Sequence, residues 1–171
     1  MSRIKVALID LDSVIHIVAA VQFKAGNLDN INTVKSHVKR FVNTVAKNSM
    51  CTKVIMFYQG AGHTNFRNDI LPEYKEHRTT TDAIATWKPT IYEAFEELGA
   101  VNLQHIESDD ALAIFAEYFE RSVIVSGDKD MIQIPGMHYN PYKPNISAED
   151  RWKRVTIAEA TKFFWIQVLT G

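Results

Sequence analysis

Val6-Ala7-Leu8-Ile9 runs straight into Asp10-Leu11-Asp12. A short β-branched apolar run stopped by an acid reads as a buried strand that ends in a polar loop. The same grammar returns along the chain. Lys53 to Phe57 (KVIMF) reads as a second strand, followed by a loop holding Gly60 and Gly62. Val101 to Ile106 reads as a third, and Val123 to Val125 as a fourth that ends in SGDKD. Helical patterns lie between and beyond these runs: Ser13 to Phe23, Ile31 to Ala46, Thr81 to Leu98, Asp109 to about Arg121, and Thr156 to Leu169. In the second, Ile31, Val34, Val38, Phe41, Val42 and Val45 share one helix face. In the third, Ile84, Trp87, Ile91, Ala94, Phe95 and Leu98 do the same, and Gly99 fits a stop. Ser108 suits the N-cap of the fourth. Alternating strands and helices predict an α/β fold with a mainly parallel central sheet flanked by helices. Such sheets carry their sites at the carboxyl ends of strands, where the acids fall here.

The composition bounds the reading. The chain has 171 residues, 46% hydrophobic and 23% charged, which fits one globular domain over 1–171. Nineteen basic and 20 acidic residues leave a net charge of -1, so any nucleic-acid contact must come from a local patch. Cys51 has no second cysteine to pair with, which suits the reducing cytoplasm. The uncharged run Ser13 to Phe23 is too short for a bilayer, which takes roughly 20 residues, so no membrane partner is expected. Cys51, Trp87, Trp152 and Trp165 read as packing residues, and His16 and His105 as structural ones.

Three acidic clusters follow strands: Asp10 with Asp12; Glu107, Asp109 and Asp110; Asp128 with Asp130. Each alone has an ordinary explanation as a solvated loop, a helix-dipole partner or a turn. Together, at one sheet edge, they repel. Two carboxylates 5 Å apart cost roughly 3 kcal/mol at an effective dielectric near 20. A hard divalent cation relieves that repulsion, and all-carboxylate ligation favours Mg²⁺ or Mn²⁺ over Zn²⁺.

Between the second strand and the third helix lies NFRNDILPEYKEHR, with Arg67, Lys75 and Arg78 interleaved with Phe66 and Tyr74. Tyr74, Lys75 and Arg78 fall within one helical turn and are expected to share a face. Cations engage phosphates and aromatic rings stack on unpaired bases. Beside a metal site this combination suits phosphodiester chemistry.

On ALIDLDSVI, NFRNDILPEYKEHR, IESDDALAIFA and VIVSGDKDMIQIP, the chain resembles the metal-dependent 5′-nucleases. These are the flap endonucleases, the 5′–3′ exonuclease domains of bacterial DNA polymerase I and the phage 5′–3′ exonucleases. The resemblance runs from residue 4 to the end and implies a PIN-like 5′-nuclease N-terminal domain. It implies a nuclease of DNA replication or repair, of phage type, acting on DNA 5′ ends or flaps, or on RNA in RNA–DNA hybrids, with one or two Mg²⁺ or Mn²⁺ ions. By the same resemblance Asp10, Glu107, Asp109, Asp110, Asp128 and Asp130 are metal ligands. Lys75 and Arg78 are catalytic cations that also bind nucleic acid, and Arg67 and Tyr74 bind nucleic acid beside them. A helical arch is expected over about 72–98.

The chain departs from the family pattern in three places. The stretch FYQGAG lacks the aspartate many members carry after the second strand. Leu11 stands where a glycine is usual. The sequence closes at WIQVLTG, where members continue into two more aspartates and a duplex-binding helix–three-turn–helix. A single domain without that module is therefore expected to hold a second ion weakly, and a second polypeptide is a candidate partner. Two other readings stay open: a non-catalytic DNA-binding fragment, and a haloacid-dehalogenase-like phosphatase with Asp10 as nucleophile and Asp12 as acid/base.

Overall fold

The computed structural model describes residues 5–25, 31–60, 65–76, 81–142 and 147–170. Its strands are β1 (Val6–Asp10), β2 (Lys53–Tyr58), β3 (Val101–Asn102), β4 (Ser122–Val125), β5 (Gly136–Tyr139) and β6 (Trp152–Val155). Its helices are α1 (Asp12–Ala25), α2 (Ile31–Asn48), α3 (Phe66–Ile70), α4 (Asp82–Glu97), α5 (Ser108–Tyr118) and α6 (Ile157–Thr170), with 3₁₀ turns at Lys129–Gln133 and Glu149–Arg151. The strand order is β3-β2-β1-β4-β5-β6. β1 pairs with β4, β2 with β3 and β4 with β5 in parallel, while β5 and β6 run antiparallel. The expected mainly parallel sheet is present.

The chain divides into two compact units. One holds Met1–Ile9, Val45–Ile55 and Leu112–Gly171. In it β1 registers with β4 from Val6 opposite Ser122 to Ile9 opposite Val125. β1 is buried along its whole length, which is why VALI carries no polar alternation. Val123, Ile124, Val125, Leu112, Met131, Tyr139 and Val155 complete this core. The other unit holds Asp10–Thr44 and Met56–Ala111. There α1 packs on α4, and Val14, Ile15, Val18, Trp87, Ile91 and Phe95 are buried. Val34, Val38 and Val42 of α2 are buried as the helical spacing requires. Lys35 of α2 reaches Glu97 of α4 at 2.6 Å on the surface.

Several boundaries differ from the sequence expectations. The third strand keeps only Val101–Asn102, because Asn65 and His105 form a separate bridge instead. α5 ends at Tyr118 rather than near Arg121. β5, β6 and α3 carry no periodic signal long enough to announce them. Trp87 is a core residue, but Trp165 is 55% exposed, along with Phe164, Ile166 and Leu169 of α6. His16 is exposed and Cys51 half-buried. Among the described residues no helix is long and apolar enough to cross a membrane.

His138 on β5 makes one consequence of this packing measurable. Its Nε2 lies 2.8 Å from the Ile134 carbonyl, and Lys153 stands opposite it on β6. Burial, with help from Lys153, pushes its imidazole below the ordinary value. The unfolded chain then takes up a proton, near pH 6.5, that the folded chain resists. Stability contributed by neutral His138 is full above that pH and is lost as pH falls. His138→Gln, whose amide can still donate to Ile134, is expected to flatten the fall in melting temperature between about pH 7.5 and about pH 5.5. Identical slopes for the two proteins would remove His138 as the cause.

Candidate active site

The second unit collects most of the predicted site. Asp10 ends β1 and is buried. Its Oδ2 accepts from the Ser13 hydroxyl at 2.5 Å and its Oδ1 from the Asp12 backbone N–H at 2.9 Å. Leu11, the residue that replaces the usual glycine, is wholly buried, and its N–H donates to the Phe57 carbonyl at 2.9 Å. The turn is thus built around a core side chain.

Asp12 opens α1, and its two oxygens are tied to other segments. The Gln59 backbone N–H donates to Oδ1 at 3.2 Å, and the Ser108 hydroxyl donates to Oδ2 at 2.7 Å. Burial, then the charge of Asp10, push its carboxyl up to about 6 despite those two hydrogen bonds. By its position before Asp109, Ser108 is expected to cap the helix. Its hydroxyl instead goes to Asp12, 96 positions away, a pairing with no local signal. Gln59 was equally silent, entering the reading only as the place where an acid was missing.

The basic segment is placed by the bridge between Asn65 and His105. The Phe66 N–H donates to the His105 carbonyl at 2.9 Å, and the Asn65 side chain caps α3 by accepting from the Arg67 N–H at 3.0 Å. This sets Arg67 against the start of α5. Its Nη1 and Nη2 donate to Oδ2 and Oδ1 of Asp110 at 2.6 and 2.7 Å, the bidentate fork. Nη1 also lies 3.7 Å from Glu107. The Tyr74 hydroxyl donates to Glu107 Oε2 at 3.1 Å, and Lys75 Nζ forms an ion pair with Glu107 Oε1. The Arg67 guanidinium lies 4.7 Å from the Phe66 ring centre and 5.7 Å from that of Tyr74, and the Lys75 ammonium 5.1 Å from Tyr74.

Tyr74 and Lys75 were expected on one helical face, and that expectation is corrected. Both lie in a turn, and Lys75 has φ +61°, outside any right-handed helix. Two stacked cations still meet Glu107 and Asp110. Arg78, the remaining predicted cation, and part of the expected 72–98 arch lie outside the described residues; the arch's described helix is α4.

Asp109 and Asp110 sit in the first turn of α5, where the helix dipole favours anions. Asp110 also reaches back to accept the Glu107 N–H at 3.1 Å, half of a capping box. Burial alone would raise its carboxyl, but the Arg67 fork and that N–H outweigh it and hold it below the usual carboxylate range. Asp109 goes the other way. Burial, followed by the charges of Glu107 and Asp110, raises it. Among the described residues no three His, Cys, Asp or Glu side chains are grouped so as to hold an ion. The donor chemistry nonetheless fits a hard cation, because every donor is a carboxylate oxygen and burial with the charges of Glu107 and Asp110 outweighs the help Asp109 has from the Asp110 N–H and Lys75.

Asp128 and Asp130 belong to the other unit, just after β4. Asp128 caps the 3₁₀ turn by accepting from the Asp130 N–H at 2.8 Å. The Asp130 Oδ1 accepts from Gln167 of α6 at 2.6 Å. Gly127 precedes them because a Cβ there would come within 2.4 Å of the Tyr142 ring.

The family model described as 5′-3′ exonuclease, N-terminal resolvase-like domain matches residues 5–162. A 5′-3′ exonuclease from Buchnera aphidicola subsp. Schizaphis graminum (strain Sg) is 32% identical over 104 residues, covering 57% of this chain and 36% of that protein. The fold resembles a T5 protein co-crystallised with metal ions, at TM-score 0.60, 15% identity, and 93% of this chain against 60% of the other. It also resembles a bacteriophage T5 flap endonuclease pseudo-enzyme-product complex with DNA and metal ions, at TM-score 0.55, 13% identity and the same coverages. The chain therefore spans about a third of the curated relative and three fifths of these structures. The order of the strands, the acids that follow β1 and β4 and open α5, and the match over residues 5–162 agree, and the chain belongs to the 5′-3′ exonuclease N-terminal resolvase-like domain family.

Proposed function

We propose that this domain hydrolyses phosphodiester bonds of DNA at 5′ ends or flaps, in the cytoplasm, with Mg²⁺ or Mn²⁺. The observation that carries the reading is the cluster of Arg67, Tyr74 and Lys75 held on Glu107 and Asp110, within a chain of a 5′-3′ exonuclease family. Asp10, Glu107 and Asp109 are the carboxylates of this unit that would hold an ion, and Asp128 and Asp130 would supply a second. A bound divalent cation lowers the pKa of water and offsets charge on the phosphate. Lys75 and Arg78 would neutralise charge that develops on the scissile phosphate, and Tyr74 would offer a ring to an unpaired base. Glu107 keeps Lys75 docked until a phosphate competes for it. Attack by water on phosphorus would break the P–O3′ bond, leaving a 5′-phosphate on one fragment and a 3′-hydroxyl, which takes up the proton that water gives, on the other.

The test is a duplex with a labelled 5′ single-stranded flap, incubated with the chain and Mn²⁺ or Mg²⁺. Cleavage that chelator abolishes is the expected result. Binding without cleavage under every metal condition would leave the DNA-binding fragment in place of the enzyme. RNA–DNA hybrid is the second substrate to assay. A polypeptide carrying a duplex-binding helix–three-turn–helix is the partner to add in trans.

A further inference from the structure

We propose that Asp110 is a positioning residue that aims Arg67 at the phosphates of an incoming strand, and that it does not ligate metal. The inference rests on the nuclease reading above and divides its acids into two kinds. An ionised carboxylate has about four lone-pair sites. At Asp110 the Arg67 fork uses one on each oxygen, and the Glu107 N–H uses a second on Oδ2. Three of the four are spent on the chain itself. Asp109, one residue earlier, accepts only the Asp110 N–H at 2.9 Å among its described bonds. The neighbouring acids therefore differ in what they have left to offer a cation.

Arg67 gains what Asp110 spends. Two of its five N–H donors are fixed by the fork. Its Cζ lies 4.7 Å from the Phe66 ring centre and 5.7 Å from that of Tyr74, and its side chain is 29% exposed. A guanidinium held this way has part of its ordering entropy removed before a phosphate arrives, and three of its five donors are not used by the fork. Phe66, whose ring lies beside it, is 40% exposed.

Three variants test this: Asp110→Asn, which keeps the shape and the acceptor for the Glu107 N–H; Arg67→Gln; and their double. Binding of a fluorescein-labelled duplex with a 5′ single-stranded overhang is measured in chelator. Each single change is expected to weaken it about tenfold, which is about 1.4 kcal/mol, and the double no further than either alone. Mn²⁺ titration followed by melting temperature should give Asp110→Asn a midpoint within about twofold of the wild type. With Mn²⁺ present, the KM for the same duplex should rise more than kcat falls. Arg67→Lys, which keeps the charge but loses the fork, is expected to lose DNA affinity too.

Wild-type DNA affinity in Asp110→Asn, additive losses in the double, or a Mn²⁺ midpoint moved about tenfold or more would overturn the assignment. A wild-type chain that binds no DNA at all would sink the nuclease reading and this inference with it. The first three outcomes leave the nuclease reading standing.

Discussion

Asp109→Asn is expected to cut metal-dependent cleavage at least about a hundredfold, the scale on which loss of one transition-state contact acts. The same change is expected to leave the melting temperature unchanged or raise it. Asp109 stands between Glu107 and Asp110 in a half-buried helix start, and both burial and its neighbours disfavour its charge. Glu107 and Asp110 each have a cation partner from the basic segment. An uncharged isostere at 109 therefore removes repulsion without orphaning a partner. Activity and stability should separate: a dead nuclease that melts no earlier than the wild type. If Asp109→Asn cleaves at the wild-type rate, the residue is a helix-dipole partner and nothing more. If it unfolds, its charge was stabilising and the crowding argument is wrong.

Phe95→Ala is expected to cost about 3–5 kcal/mol, the range for truncating a buried aromatic. Phe95 is fully buried on α4 and meets Tyr58 edge-on at 5.3 Å and Tyr92 at 6.3 Å. Tyr92 donates its hydroxyl to the Gln59 carbonyl at 2.8 Å, and Gln59 in turn donates to Asp12. A cavity at Phe95 thus loosens the segment that holds the loop beside Asp10. For a chain of this size the melting temperature should fall by roughly 6–20 °C. A fall of only a few degrees would mean the aromatic group repacks around the void.

Most of the fold was legible because the central strands are short continuous apolar runs and the long helices carry a helical period. VALI and VIV are continuous and buried, and α2 and α4 repeat their apolar residues at helical spacing. The acids at strand ends were legible for the same reason, since the strands locate them. β5, β6 and α3 were not, because GMHY and WKRV are not continuous apolar runs as VALI and VIV are, and the five residues of α3 are too few to show a helical period. The partner of each charge was hidden as well. Arg67 and Asp110 are 43 positions apart, and Ser108 and Asp12 are 96 apart. Nothing in NFRNDILPEYKEHR states that its first arginine docks on an aspartate or that its lysine takes a left-handed backbone. The first of these follows the Asn65–His105 bridge, which joins two segments only in the folded chain.

At the outer ends of the described strand order stand β3, only two residues long, and β6, whose exposed residues are Lys153 and Arg154. An open sheet invites a second copy to add a strand wherever unpaired backbone groups line up uncharged. Here one rim is only two residues long, and the other carries two exposed cations, one toward each face of the strand, which an added strand would have to meet.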